Sequence, residues 1–265
     1  MIQRMVVSAL LAGFAAGLIA ALLHFAFVQP KILLAEQYES GALVHFEGAK
    51  TGVGAAHDQT AHDHAAPADA PADASADTAA ESTAAAQPAA HDHPATDEAE
   101  ASPLKRNALT AAFYGLTYVS YGLLLVAAFA AVEQTGRQVT AAEGLLWGLA
   151  GFAVFQLAPA MGLEPELPGT PAADLAARQI WWWGTAASTA MGLAALAYGS
   201  GPLRWALGLV LLALPHVIGA PHLDGFGGVA PPELASTFAA RTLGVSLVAW
   251  LSLGYLATRL WAEAE

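Results

Sequence analysis

Metal-ligating side chains follow several apolar segments of this 265-residue chain, each time next to a proline. Two glutamates follow Pro30, two flank Pro165, and histidines and an aspartate surround Pro221. Carboxylates and imidazoles are the ligands that hard and borderline divalent cations bind in proteins. The candidate ligands are Glu36, Glu164, Glu166, His216, His222 and Asp224. This pattern predicts a cation site where several connections between helices meet. The alternative interpretation is that the acids only lie at the membrane interface and the histidines only form structural hydrogen bonds.

A second group of candidate ligands lies in residues 55–101, a polar stretch with ten acids and five histidines and without Lys, Arg or aromatic residues. Repeated His-Asp-His triplets can chelate a cation in an extended chain, and adjacent carboxylates raise the local cation concentration. The residues are His57, His62, Asp63, His64, His91, Asp92 and His93. Because the chain has no cysteine, such a stretch favours cobalt, nickel, zinc or copper(II) without selecting among them. The alternative is a low-complexity, solvated spacer.

The elements that position these residues are strongly apolar. The chain is 56% hydrophobic and 12% charged, yet its net charge is −12, of which residues 55–101 carry −10. Six windows contain no Asp, Glu, Lys or Arg: 5–28, 107–132, 144–163, 179–203, 205–223 and 242–258. Crossing the hydrocarbon core takes about 20 residues. The sequence therefore predicts an all-α, polytopic membrane protein with about six transmembrane helices.

Four parts of the chain are predicted. Residues 1–30 form the first transmembrane helix, 31–54 a membrane-proximal segment, 55–106 a disordered acidic His-rich loop and 107–265 a five-helix transmembrane body. Disorder is expected because a polar, proline-broken stretch cannot bury enough apolar surface to offset its ordering entropy. The first, third and fifth spans end on one face, here named the acidic face, and the termini lie on the other, the terminal face.

The arginines of the short loops favour termini on the cytoplasmic side of a bacterial cytoplasmic membrane, with the long loop outside. Inside the first span, His24 is a candidate cation ligand, although a single histidine on an apolar helix is more often structural. Two small-residue pairs, Gly13/Gly17 and Gly144/Gly148, permit close helix packing. The tryptophans at 181–183 are expected to anchor their helix at the membrane interface.

Several segments resemble the CbtA family of predicted cobalt transporter subunits. They are residues 28–39 (VQPKILLAEQYE), 156–169 (QLAPAMGLEPELPG), 174–183 (DLAARQIWWW), 214–221 (LPHVIGAP) and 232–235 (PELA). The resemblance implies a multi-span protein that moves cobalt inward for cobalamin synthesis, often beside a small one-span, His-rich subunit, CbtB. It also implies roles for Glu36, Glu164, Glu166, His216 and Glu233.

The sequence thus predicts a divalent-cation importer, or its membrane subunit, surrounded by membrane lipid. Cobalt is the favoured substrate, nickel or zinc are further candidates, and neither an organic cofactor nor enzymatic activity is expected. A nucleic-acid partner is not expected, since phosphate binding needs clustered Lys and Arg. One alternative is a non-transporting scaffold that presents metal to a partner. Another is a membrane enzyme acting on lipid substrates through the paired acids, which the lack of a basic cluster for phosphate disfavours.

Overall fold

The computed structural model describes residues 2–45, 102–225 and 227–263. Within these ranges the chain is helical and has no β-strand. The helices are α1 from Ile2 to Glu39, α2 (Pro103–Glu133), α3 (Ala141–Ala160), α4 (Leu175–Tyr198), α5 (Leu203–Ile218) and α6 (Pro232–Glu263). The predicted all-α class is confirmed for this part of the chain. Residues 55–101 of the predicted disordered loop, with all seven of its candidate ligands, lie outside the described residues. The prediction is wrong for residues 103–106, which form the first turn of α2 after the Ser102 cap.

Four of the described helices are long and apolar enough to cross a membrane: α1, α2, α3 and α6. Helix α5 is apolar but has only 16 residues. Helix α4 has 24 residues, but it contains no 18-residue window that is apolar enough to count with these four. A membrane protein is therefore confirmed, and the count of six spans remains a prediction for α4 and α5.

Helices α1 and α3 each contain one π-helical turn followed closely by a proline. In α1 the turn is His24–Val28, and the helix then continues through Pro30 to Glu39. In α3 the turn is Ala153–Leu157, and the last α-helical residues are Ala158–Ala160. A proline ring clashes with the carbonyl of the residue four positions earlier in a regular α-helix. The wider π turn relieves this clash, so α1 passes Pro30 without ending there.

Small residues bring α1 and α2 into close contact. A Cβ atom on Gly13 would lie 2.5 Å from the Cα atom of Val119, and one on Gly17 would lie 2.8 Å from the Cα atom of Gly115. The same face of α1 carries alanines without solvent exposure, among them Ala9 and Ala16. Close packing of this kind is how transmembrane helices gain van der Waals contact, and the prediction for the Gly13/Gly17 pair is confirmed.

Helix α6 is the centre of the bundle, because it contacts α1, α2 and α3. Trp250, Leu253, Ala257 and Trp261 of α6 are at most 1% exposed. Gly148 of α3 allows a close approach, since a Cβ atom there would lie 2.8 Å from the Cα atom of Leu251. Helices α4 and α5 pack on each other, and α4 contacts α3 at its π turn and at the residues after it.

Candidate metal-binding face

The acidic face is held together by a buried apolar cluster that joins three separate parts of the chain. Val28 and Ala35 of α1 pack with Leu167, which lies between α3 and α4, and with Leu234 and Phe238 of α6. Leu167 is only 4% exposed. The segment that carries Glu164 and Glu166 is therefore fixed by Leu167 against the ends of α1 and α6.

The two glutamates of this segment have different surroundings. Glu166 Oε2 accepts a hydrogen bond from Arg178 Nη2 at 2.8 Å, and both side chains are part-exposed. Glu164 is exposed. A cation that bound both carboxylates would have to compete with Arg178 for Glu166. Sequence analysis did not assign Arg178 to this site.

His216 lies in the last turn of α5 and is half-buried. Its ring meets the edge of Trp181, with ring centroids 6.2 Å apart. Trp181 Nε1 also donates to the carbonyl oxygen of Pro215 at 3.2 Å. Trp181 therefore fixes the end of α5 from α4, a role beyond the predicted interfacial anchor. Beside it, α4 and α5 enclose an apolar groove of about 640 Å³.

The remaining predicted ligands of the acidic face, Glu36, His222 and Asp224, are exposed. In the described part of the chain, no group of three or more His, Asp or Glu side chains is close enough to hold one metal ion. The structure thus brings the candidate ligands to one face without assembling them into one coordination sphere. A cation at this face would keep much of its hydration water.

His24 is half-buried and is the first residue of the π turn in α1. Its Nδ1 atom is 3.0 Å from the hydroxyl oxygen of Tyr114 in α2, and the two rings lie 5.2 Å apart. Tyr114, Tyr118 and Tyr121, here named the tyrosine row, lie on one side of α2 at a helical spacing of four and three residues. Sequence reasoning missed this row, although tyrosines at that spacing within an apolar span were a visible signal.

The terminal face is closed by contacts among the ends of α1, α2 and α6. Arg4 donates to the carbonyl oxygen of Trp261 at 3.0 and 2.6 Å, and its guanidinium lies 3.8 Å from the centroid of the Trp261 ring. Trp261 Nε1 donates to Glu133 Oε1 at 2.7 Å, and Arg4 lies 4.0 Å from the same oxygen. Glu143 and Glu263 are likewise paired, with Arg137 and Arg259. The described acids of this face are therefore neutralised by arginines.

Comparison with protein families matches residues 2–262, nearly the whole chain, to the family described as "Probable cobalt transporter subunit (CbtA)". No curated protein and no solved structure matches the chain.

Proposed function

The chain belongs to the CbtA family of probable cobalt transporter subunits, and we propose that it carries cobalt, or a similar divalent cation, into the cell as part of a transporter. The family description and the four long apolar helices support metal transport across a membrane in general. The proposal adds the inward direction, the preference for cobalt and a link to cobalamin synthesis.

The observation that carries the proposal is that the acids of the two faces differ in their pairing with arginine and in their exposure. On the terminal face, Glu133, Glu143 and Glu263 each lie within 4.0 Å of an arginine nitrogen. On the acidic face, Glu166 is likewise paired with Arg178, but Glu36 and Glu164 are exposed carboxylates, and histidines lie on the same face. Exposed carboxylates attract cations and raise their local concentration, so entry from the acidic face is favoured.

In the proposed route, the loop residues His57, His62, Asp63, His64, His91, Asp92 and His93 collect hydrated cations. The cation then meets Glu36, Glu164, Glu166, His216, His222 and Asp224 at the mouth of the pathway, and His24 inside it. The lack of a three-ligand cluster in the described residues suits this role. A transport pathway must bind its ion strongly enough to admit it and weakly enough to release it.

The topology and the assembly are further parts of the proposal. Helices α4 and α5 complete six spans in the cytoplasmic membrane, with cytoplasmic termini and the acidic face outside. The family is one of transporter subunits, which supports a partner in the membrane, and a small one-span, His-rich CbtB-like subunit is the candidate. The loop of this chain itself holds five histidines. The chain therefore has its own element of the metal-collecting kind that such a partner would otherwise supply.

The test is cobalt accumulation in cells that express the protein with both Glu164→Gln and Glu166→Gln. We expect a clear loss of uptake, because the substitution removes two negative charges and two oxygen ligands at the mouth. The matched control is Glu263→Gln on the terminal face, which should leave uptake close to the unmodified level. Unchanged cobalt uptake by the double variant would overturn the proposed mouth.

The second candidate is a non-transporting scaffold that presents metal to a partner. The observation in its favour is again that no three-ligand site is assembled among the described residues, which leaves the loop as the main reservoir of ligands. The purified protein in liposomes distinguishes the two functions. A transporter accumulates cobalt in the vesicles, whereas a scaffold binds cobalt and accumulates none.

A further inference from the structure

Two backbone carbonyls, one in each π turn, lose their helical donors in the same way. In α1 the amide of Gln29 donates to the carbonyl of His24, five residues earlier. In the same register, the amide of residue 30 would donate to the carbonyl of Phe25. That residue is Pro30, which has no N–H. In α3 the amide of Ala158 donates to the carbonyl of Ala153, and the next residue is Pro159. The carbonyl oxygens of Phe25 and Val154 are therefore left without a helical donor.

A third proline shows that the fold supplies a replacement donor elsewhere. Pro215 lies inside α5 and cannot donate to the carbonyl of Leu211. Ser188 of α4 fills that position, since its hydroxyl donates to Leu211 O at 2.6 Å. Among the described residues, no side-chain donor of this kind reaches Phe25 O or Val154 O, and Arg241 donates instead to Phe27 O. An unpaired carbonyl is costly in the membrane interior, so two that recur together require an explanation.

The two π turns are joined by a continuous row of aromatic side chains. His24 of the first turn meets Tyr114, and Tyr114 stacks on Tyr118 with ring centroids 6.5 Å apart. Tyr118 meets Tyr121 at 5.8 Å, and Tyr121 meets Phe155 of the second turn at 5.2 Å. The tyrosine row therefore connects a side chain of the first π turn with a side chain of the second.

Trp250 of α6 lies against the deep end of this row. Its ring centroid is 4.7 Å from that of Tyr121 and 5.6 Å from that of Phe155. Trp250 is 1% exposed, and its Nε1 atom has no hydrogen-bond partner among the described residues. A buried N–H without an acceptor can donate to a water molecule. Water carried by a partly hydrated cation would satisfy it.

From these observations we infer that the two π turns are successive cation stations inside the membrane, with Phe25 O and Val154 O as ligands and the tyrosine row between them. The inference rests on the proposed transport function and assigns its intramembrane site. The first station requires the tautomer in which His24 Nδ1–H donates to the oxygen of Tyr114, 3.0 Å away. Nε2 is then free for the cation, as metal-ligating histidines are commonly oriented. Between the stations, hydroxyl oxygens and ring faces stabilise the cation.

Neutral ligands explain why the pathway needs no acid within its apolar spans. Carbonyl and hydroxyl oxygens suit a hard or borderline divalent cation that keeps part of its water. Helix irregularities at membrane depth are tolerated where they line such a pathway. Because each station offers few protein ligands, the cation is held briefly and passes on.

The test restores the missing donors and measures cobalt uptake by the purified protein in liposomes. Pro30→Ala and Pro159→Ala each return an N–H that can bind the free carbonyl, and each should lower the uptake rate by about tenfold, as loss of a supporting contact at a metal site typically does. Pro215→Ala is the matched control, because Ser188 already occupies the carbonyl which that proline frees. It should leave uptake nearly unchanged. Uptake by the first two variants at the unmodified rate would overturn the stations.

A second readout separates this inference from the proposed function. Cobalt binding to each full-length protein in detergent is followed by quenching of aromatic fluorescence, and thermal unfolding reports whether the variants fold. Alanine is a better helix former than proline, so a weaker variant is not expected to be a misfolded one. If the unmodified protein takes up no cation, the proposed function fails. The stations are then supported by about tenfold weaker binding in Pro30→Ala and Pro159→Ala, and are overturned by equal binding.

Discussion

Identical residue types at the acidic face differ in their charged neighbours. Glu164 and Glu166 are two positions apart, yet Glu166 is paired with Arg178 at 2.8 Å whereas Glu164 is exposed. Sequence spacing predicted that both carboxylates face one ion. It did not identify the competing arginine, because Arg178 is twelve residues away in the chain and reaches Glu166 only after α4 has begun. We therefore expect Arg178 to compete with a cation for Glu166 at the proposed mouth.

Replacing Arg178 by Gln is expected to strengthen cation binding at the mouth. Glu166 then carries an uncompensated charge, and the cation no longer competes with the guanidinium. A part-exposed ion pair contributes about 0.2–1 kcal/mol, so the KM for cobalt uptake should fall by up to about fivefold. The control is Arg137→Gln, which breaks the Glu143 pair on the terminal face. A KM that rises in Arg178→Gln, or falls equally in both variants, would contradict this role.

At the scale of helices, hydropathy predicted where helices lie and missed how they are hydrogen-bonded. Apolar windows at 5–28 and 144–163 correspond to α1 and α3, but the π turns within them were not predicted. Hydropathy depends on composition, whereas a π turn is a change of hydrogen-bond register. Pro30 and Pro159 were the visible signals, and they were interpreted as helix ends. The extension of α1 to Glu39 follows from the turn that accommodates Pro30.

The contact between α1 and α2 predicts the effect of a single methyl group. Gly13→Ala places a Cβ atom 2.5 Å from the backbone of Val119, so the two helices must separate. Overpacking of this kind costs about 1–3 kcal/mol, and the midpoint of thermal unfolding in detergent should fall. Gly244 of α6 is the matched control, since a Cβ atom there meets nothing within 4 Å. Gly244→Ala should be neutral or stabilising by up to about 1 kcal/mol. Equal midpoints for both variants would show that the close approach does not contribute to stability.

For the whole molecule, the sequence predicted the sidedness of the candidate ligands and not their separation. Counting spans predicts that these helix ends share a face, and the assignment of Glu36, Glu164 and His216 to one end stays a prediction. Whether they meet depends on the path of the connections between helices, which span counting does not predict. The contact between His24 and Tyr114 was not predicted either, because it depends on how α1 and α2 are aligned along their axes. Close packing at the glycines 13, 17 and 115 sets that alignment.

The concentration of negative charge in residues 55–101 makes a prediction about transport kinetics. If this loop collects cations, its deletion should raise the KM for cobalt several-fold and leave kcat unchanged, because the pathway through the helices is intact. The rise should be larger at low ionic strength, since exposed charges attract over a Debye length of about 30 Å at 0.01 M salt and only about 8 Å at 0.15 M. Uptake into liposomes at both salt concentrations measures this.

Replacing the five loop histidines by alanine separates chelation from charge attraction. That variant keeps all ten acids, so a loop that acts by charge alone retains the KM of the unmodified protein, whereas a chelating loop loses affinity at both salt concentrations. A deletion that lowers kcat at unchanged KM would contradict a collecting role altogether. It would instead assign the loop to the transport step, and with it the ten acids that dominate the charge of the chain.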